Sequence, residues 1–231
     1  MDINRAYPCY PANYKRGRAL PVSFLVIHYV GATGGAEANA KYYGTNKVLV
    51  SAHYFVGHAS EGAAVFGSVD EADTAWHCGR SDGKYKHPTC RNANSIGIEM
   101  CCHLSPAGVW YFDPETVDRT VELSRDIMAR YGIPIDHVVR HYDVTGKLCP
   151  RPYVDDEADW EAFKARLTAA ESEEEMKVYT ALAEVPAWAQ PLVTSAQKAG
   201  LVTGDGNGKL NLTDETLRTL AILSKAGVVN G

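Results

Sequence analysis

A length of 231 residues suits one medium domain and a small one, and 45% hydrophobic with 22% charged residues is ordinary for a soluble globular protein. The formal net charge of −5 argues against a nucleic-acid binder driven by phosphate contacts, and no apolar run approaches the roughly 20 residues that span a bilayer. The N-terminus shows no apolar signal segment, so the expectation is a protein without membrane insertion, kept in the cytoplasm until something else releases it.

Residues 1 to about 22 read as an irregular lead-in with Pro8, Pro11 and Pro21. Phe24 to His28 is an apolar run of buried-strand character, followed by the Gly-rich turn Gly31 to Gly35. Ala36 to Tyr43 reads as a helix, Val50 to Gly57 as a strand rich in β-branched and aromatic residues, and Ala63 to Phe66 as a weaker strand. A polar loop runs from about Cys78 to Asn94, and Ser95 to Cys101 is a further strand.

The strongest helix is Pro114 to Tyr131: Asp113 suits the N-cap, Pro114 the first turn and Gly132 the stop. Val117, Val121, Ser124, Met128 and Tyr131 recur at helical spacing and are expected to face a sheet. His137 to His141 is expected as a strand and Glu157 to Ala169 as a closing helix. Strands mixed with helices indicate an α/β domain, a central mixed β-sheet flanked by helices, over residues 1–169.

The acidic stretch 170–176 reads as a linker, and Met176 as a candidate internal start. Residues 177–231 then form a small, mostly helical module, with helices over Trp188 to Gly200 and Leu212 to Gly227, the second capped at Thr213 or Asp214. Trp188, Leu192, Ala196 and Ala199 share one side of the first helix, and exposed apolar positions there suggest a homodimer. The turn from Asp205 lacks the Gly and Glu that a calcium loop needs at its sixth and twelfth positions, so it reads as a plain turn.

The six cysteines are scattered without a CxxC pair, which in a cytoplasmic chain means reduced thiols; Cys78 and Cys90 bracket a loop and are the pair placed to bridge after release. His141 and Cys149 stand eight positions apart around a turn, with Lys147 between them, and His28 ends the first apolar run. Two imidazoles and a thiolate are a three-ligand zinc set with a fourth position open, and an open position on Zn2+ means Lewis-acid chemistry, hence a hydrolase. Ligands gather at strand ends in such sheets, which is how residues so far apart share one ion. Glu99 lies in the otherwise apolar run Ser95 to Met100, where a carboxylate is costly to bury unless it is used.

Five ordered blocks, Val26-Ile27-His28-Tyr29, Ser51-Ala52-His53-Tyr54, Ala75-Trp76-His77-Cys78-Gly79, Asn94 to Glu99 and Arg140 to Pro150, together resemble the zinc N-acetylmuramoyl-L-alanine amidases of the phage endolysin and peptidoglycan-recognition-protein superfamily. The resemblance spans about residues 20 to 168. It implies cleavage of the amide between N-acetylmuramic acid and L-alanine in bacterial peptidoglycan, with His28, His141 and Cys149 as zinc ligands. It further implies Glu99 as general base and Lys147 as stabiliser of the oxyanion. Some phage members carry a catalytic Tyr where this chain has Ala52, which leaves Glu99 as the leading base. Tyr29, Trp76, His77 and Asn94 are the candidates to line the substrate groove, and Asp143 to orient an imidazole.

The C-terminal unit resembles a single surface-layer-homology repeat at Trp188-Ala189 and Gly200 to Gly208, which implies wall anchoring or self-association. The expected role is that of a phage or prophage endolysin released to the wall by a separate pore. The alternatives are a non-catalytic peptidoglycan-binding module, against which Cys149 speaks, and a cytoplasmic amidase that recycles soluble muropeptides.

Overall fold

A computed structural model describes residues 1–79, 82–169, 178–203 and 209–225. The expected linker at 170–176, Met176 and the turn at 204–208 lie outside the described residues. The chain divides into two compact units, Met1–Thr168 and Ala169–Gly231.

The first unit runs, in chain order, β1 (Tyr14–Lys15), β2 (Phe24–Tyr29), α1 (Ala36–Thr45), β3 (Tyr54–Val56), β4 (Val65–Gly67), β5 (Thr74–Ala75), β6 (Ser95–Met100), β7 (His103–Leu104), β8 (Trp110–Tyr111), α2 (Pro114–Tyr131), β9 (Val138–Arg140), α3 (His141–Thr145), α4 (Arg151–Asp155) and α5 (Glu157–Thr168). The central sheet has five strands in the order β4-β3-β6-β2-β9. β2 pairs parallel with both β6 and β9, β3 pairs parallel with β6, and β4 closes the edge antiparallel to β3. The sheet is therefore mixed and flanked by helices.

Strands buried on both faces read as near-continuous apolar runs, and β2 does so, whereas β6 alternates Ile96, Ile98 and Met100 with Ser95, Gly97 and Glu99. Side chains alternate between the faces. Leu25 and Ile27 of β2 with Ile96, Ile98 and Met100 of β6 point to one face, where Val121, Leu123 and Ile127 of α2 and Trp160, Phe163 and Leu167 of α5 complete the main core. Burial of each such large side chain stabilises the fold by about 1.5–3 kcal/mol. The other face receives Phe24, Val26 and His28 of β2, in register with Ser95, Gly97 and Glu99 of β6. There Phe24 and Val26 pack with Cys78, Cys90, Val139 and Val144. All six cysteines are free and buried; Cys78 and Cys90 share this cluster unbridged.

α2 has the expected bounds, with Gly132 closing it at a φ of 65°. Asp113 has the extended backbone of an N-cap, but its carboxylate makes no bond to its own helix. It accepts hydrogen bonds from the Ala59 amide and His103 Nε2 instead, both at 2.9 Å. The buried stripe of α2 is Thr116, Thr120, Val121, Leu123, Ser124 and Ile127, wider than the expected one because the helix packs against both the sheet and α5. Val117 and Met128 are half-buried, and Tyr131 turns outward to donate to Glu71 at 2.9 Å.

Strand bounds shift where the backbone leaves the ladder. Ser51, Ala52 and His53 are buried but lie outside β3: the Ser51 amide bonds the Trp76 carbonyl and the His53 amide the Gly97 carbonyl. Ala63 has a φ of 48° in the turn before β4, so that strand starts two residues later than expected. β9 stops at Arg140, and His141 opens α3.

The second unit holds α6 (Gln190–Lys198) and α7 (Asp214–Lys225) around its own core of Tyr179, Val185, Val193, Leu212, Leu217 and neighbours. α6 starts after Trp188 because Pro191 fits only a first turn. Trp188 is 57% exposed, while Leu192 is half-buried against the core. Thr213 caps α7, its Oγ1 accepting from the Thr216 amide at 3.2 Å. No described helix of either unit is long and apolar enough to cross a membrane.

Candidate metal centre

Parallel pairing sets three residues in one row. His28 of β2 lies opposite Glu99 of β6, and Ile27 lies opposite Arg140 of β9, so the next residue, His141, continues the row. The row sits at the C-terminal ends of the strands, on the sheet face away from α2. The His28 and His141 rings are 4.9 Å apart between centroids.

Cys149 arrives from the turn after α3. Gly146 reverses the chain there with a φ of 84°, a conformation that side chains with a Cβ resist. The Cys149 carbonyl then accepts from the Tyr142 amide at 2.9 Å. Cys149 Sγ stands 3.6 Å from His28 Nδ1. One donor atom each from His28, His141 and Cys149 lie within 4.8 Å of one another, all three residues buried.

The chemistry of these atoms fits a cation. Both ring nitrogens of His141 and Glu99 Oε2 are buried without a hydrogen-bond partner among the described residues. Such orphaned atoms are rare unless something else satisfies them. Burial drives the His28 and His141 imidazoles to their neutral, ligating form, His141 down to about 3, with the neighbouring Lys147 charge acting in the same direction. Burial pushes the Cys149 thiol up, so ionisation there calls for a positive charge beside it. Glu99 Oε1 is 3.9 Å from His28 Nδ1, and burial raises its carboxyl to about 8 against the pull of Lys147.

A chain of hydrogen bonds fixes which nitrogen of His28 faces the cluster. Ser95 Oγ spends its single proton on the Arg91 carbonyl at 2.7 Å. His77 Nε2, 3.1 Å from Ser95 Oγ, must then donate to it. That leaves His77 Nδ1 bare, 3.0 Å from His28 Nε2, so His28 donates from Nε2 and presents an unprotonated Nδ1 to Cys149 and Glu99. Gly97 makes room for this chain: a Cβ there would fall 2.6 Å from the His77 ring. The alternation Ser95, Gly97, Glu99 on one face of β6 thus carries a relay, a gap and a carboxylate. Neither Ser95 nor this role of His77 is among the site residues expected from the sequence; a glycine inside a buried strand, marking close approach, was the available signal.

The other expected residues are placed as follows. Lys147 is exposed on the turn, near enough for its charge to bear on His28, His141, Glu99 and Cys149. Tyr29 is half-buried, edge-on to Trp110 at 5.7 Å. Trp76 is half-buried and bonded through its backbone to Ser51. The Asn94 side chain serves its own loop, accepting from the Arg91 amide and donating to the Thr89 carbonyl. Asp143 pairs with Arg140, which also donates to the Tyr153 carbonyl and to Glu157, tying α3 to α4 and α5 behind His141. A cavity of 520 Å³ between β8, α2, α4 and α5 contains none of the expected site residues.

The chain is 34% identical over 160 residues to the N-acetylmuramoyl-L-alanine amidase BlyA of Bacillus subtilis strain 168, an alignment covering 64% of this chain and 41% of that protein. It is 32% identical over 154 residues to the amidase CwlL of Bacillus licheniformis, covering 63% and 41%. The chain thus spans about two-fifths of the length of these curated relatives. The solved structure of PlyL superimposes with a TM-score of 0.58 at 25% identity, covering 72% of this chain and 97% of that one. A mutant endolysin from Bacillus subtilis does so with a TM-score of 0.57, also at 25% identity, covering 72% and 99%. Residues 18–152, which contain β2, β6, β9 and the Cys149 turn, match the family model of the N-acetylmuramoyl-L-alanine amidases, Amidase_2, and the chain belongs to that family.

Proposed function

We propose that the chain is a zinc-dependent N-acetylmuramoyl-L-alanine amidase that cleaves the bond between N-acetylmuramic acid and L-alanine in bacterial peptidoglycan, acting as a phage or prophage endolysin. The observation that carries this reading is the row Glu99–His28–His141 with Cys149 beside it. His28 Nδ1, His141 and Cys149 would hold the ion. Zinc, when bound, supplies Lewis acidity and a water acidified to a pKa of about 7.

Glu99 is the base in its ionised form, which the charges of a bound ion and of Lys147 would favour against the upward push of burial: its carboxylate takes a proton from the attacking water and passes it to the nitrogen as the C–N bond breaks, so the amine of L-alanine leaves neutral. Lys147 offsets the negative charge that develops on the carbonyl oxygen. His77 positions His28 through the Ser95 relay. Tyr29 and Trp76 remain the candidates for contact with the sugar-peptide substrate, whereas His77 is buried with both ring nitrogens engaged. The second unit supports wall anchoring or self-association, its exposed Trp188 being a contact residue for either.

The test is incubation of the purified chain with intact peptidoglycan and detection of new L-alanine N-termini. Wild type should release them, and Cys149→Ser and Glu99→Gln should not, with bound metal lost only in the first. Retained wall binding without new amines in the wild type would instead mark a recognition module.

A further inference from the structure

A second set of metal-ligating side chains lies outside the amidase row. His58 follows β3, His103 opens β7, and Asp113 precedes α2. β3 runs parallel to β6 with Phe55 opposite Glu99, so this set collects at the same C-terminal edge of the sheet, one strand over. One donor atom from each lies within 4.8 Å of the others. His103 Nε2 is 2.9 Å from Asp113 Oδ2, and His58 Nδ1 is 3.9 Å from that oxygen. The two imidazoles lie close and tilted, 4.2 Å between centroids and 30° between planes.

The His103–Asp113 pair accounts for itself as a hydrogen bond from Nε2 to the carboxylate. His58 does not: it is 6% exposed, and neither of its ring nitrogens has a hydrogen-bond partner among the described residues. A buried imidazole with both nitrogens unsatisfied, aimed at a carboxylate too distant to bond, points to a missing partner between them. We propose that His58, His103 and Asp113 form a second binding site for a divalent cation of the zinc class.

The donor set is right for such an ion: two imidazole nitrogens and one carboxylate oxygen suit zinc, nickel or copper over magnesium or calcium. Bonds of about 2.0–2.2 Å require donor atoms roughly 3–4 Å apart, a small contraction of the present set. Asp113 is held for the purpose by the Ala59 amide. His103 is one-third exposed, so the remaining coordination positions open to water. Loading moves the His103 proton from Nε2 to Nδ1 and leaves the carboxylate to the ion. A neighbouring set, His58 with Glu61 and Cys101, shares His58, but Glu61 is committed to the Ala36 and His58 amides at 3.0 and 3.1 Å. A bound ion would join the 58–61 turn, the β7–β8 hairpin and the start of α2. It would be a structural fastener at the rim of the active face.

Cobalt(II) titration of the full chain separates the two sites, because only the site containing Cys149 gives a sulfur-to-cobalt charge-transfer band. The wild type should take up two equivalents, one with the band and one without. His103→Gln, at the exposed end of the set, should lose the equivalent without the band and keep the other. Cys149→Ser should do the reverse. Zinc should raise Tm in Cys149→Ser and should not in the double variant with His103→Gln. A single equivalent that vanishes in Cys149→Ser would overturn the proposal. So would a second equivalent indifferent to both His103→Gln and His58→Gln. A single equivalent without the band, lost in His103→Gln, would uphold this site and count against the amidase metal centre.

Discussion

Ser95 shows how far a small hydroxyl reaches. Its proton is spent on a backbone carbonyl, and that choice passes through His77 to the tautomer of His28. Ser95→Ala removes the acceptor for His77 Nε2 and frees His77 to turn its proton toward His28. Partners of this kind typically contribute 10–100-fold in metal affinity. Ser95→Ala should therefore weaken zinc retention against a chelator by about that factor, in addition to the about 1–3 kcal/mol that stranding the Arg91 carbonyl costs the metal-free chain, while Ser95→Thr, which keeps the hydroxyl, should restore zinc retention. An unchanged zinc affinity would show that His28 needs no such orientation. Glu99→Gln belongs to the same scale and has the opposite signature. It should keep the metal and lower kcat by about 10²–10⁴-fold, the usual contribution of a positioned proton carrier. The pattern His28, His141, Cys149 was legible in the sequence because metal chemistry admits few residue types. The relay was not, because a serine and a histidine in a sheet have many bland uses and only the register of β2 with β6 distinguishes them.

At the scale of elements, β6 is the most constrained segment. Gly97→Ala should force His77 off its seat and destabilise the first unit by about 1–3 kcal/mol, the usual cost of overpacking a filled interior. Denaturant unfolding with and without zinc would measure it, and a change below about 0.5 kcal/mol would mean the loop over β6 yields easily. α2 is tied at its far end as well. Glu71 accepts from Tyr54 at 2.6 Å, from Tyr131 at 2.9 Å and from Arg130 at 2.5 and 2.9 Å. Burial alone would raise the Glu71 carboxyl, but these donors outweigh it and hold it below its ordinary value. A depressed carboxyl contributes stability that is complete above its unfolded value of about 4.3 and fades as pH falls through the lower folded value. Glu71→Gln should thus be less stable than wild type by about 1–3 kcal/mol at pH 7, with the difference closing below pH of about 4. α2 itself was readable from Pro114 and Gly132. The use of Asp113 was not, since its carboxylate serves a turn and a histidine more than 50 residues and 10 residues away rather than its own helix. Short strands such as β4 and β9 were displaced by a residue or two. Their ends are set by pairing and by single residues such as Ala63 with positive φ, which hydropathy does not register.

The whole molecule comprises two units, each with a core of its own. A chain ending at residue 169 should fold cooperatively and retain cleavage of a soluble muramyl peptide within about twofold, while losing retention on intact walls if the second unit is an anchor. Equal wall activity with and without residues 170–231 would remove the anchoring role. The acidic stretch read as a linker lies outside the described residues, next to the division at Thr168 and Ala169. The parallel order of the sheet was not legible in the sequence, since strand neighbours far apart in sequence leave no local mark. That order has a consequence for how the protein comes into being. His28 and Cys149 are separated by 121 positions, and between them the strands that bring this cluster together must pair non-locally, the slow kind of contact in folding. An emerging chain therefore has no metal centre until the Cys149 turn has been synthesised and β9 has docked beside β2. Capture of the proposed zinc would then be a late event of assembly, one that reports completion of the sheet instead of nucleating it.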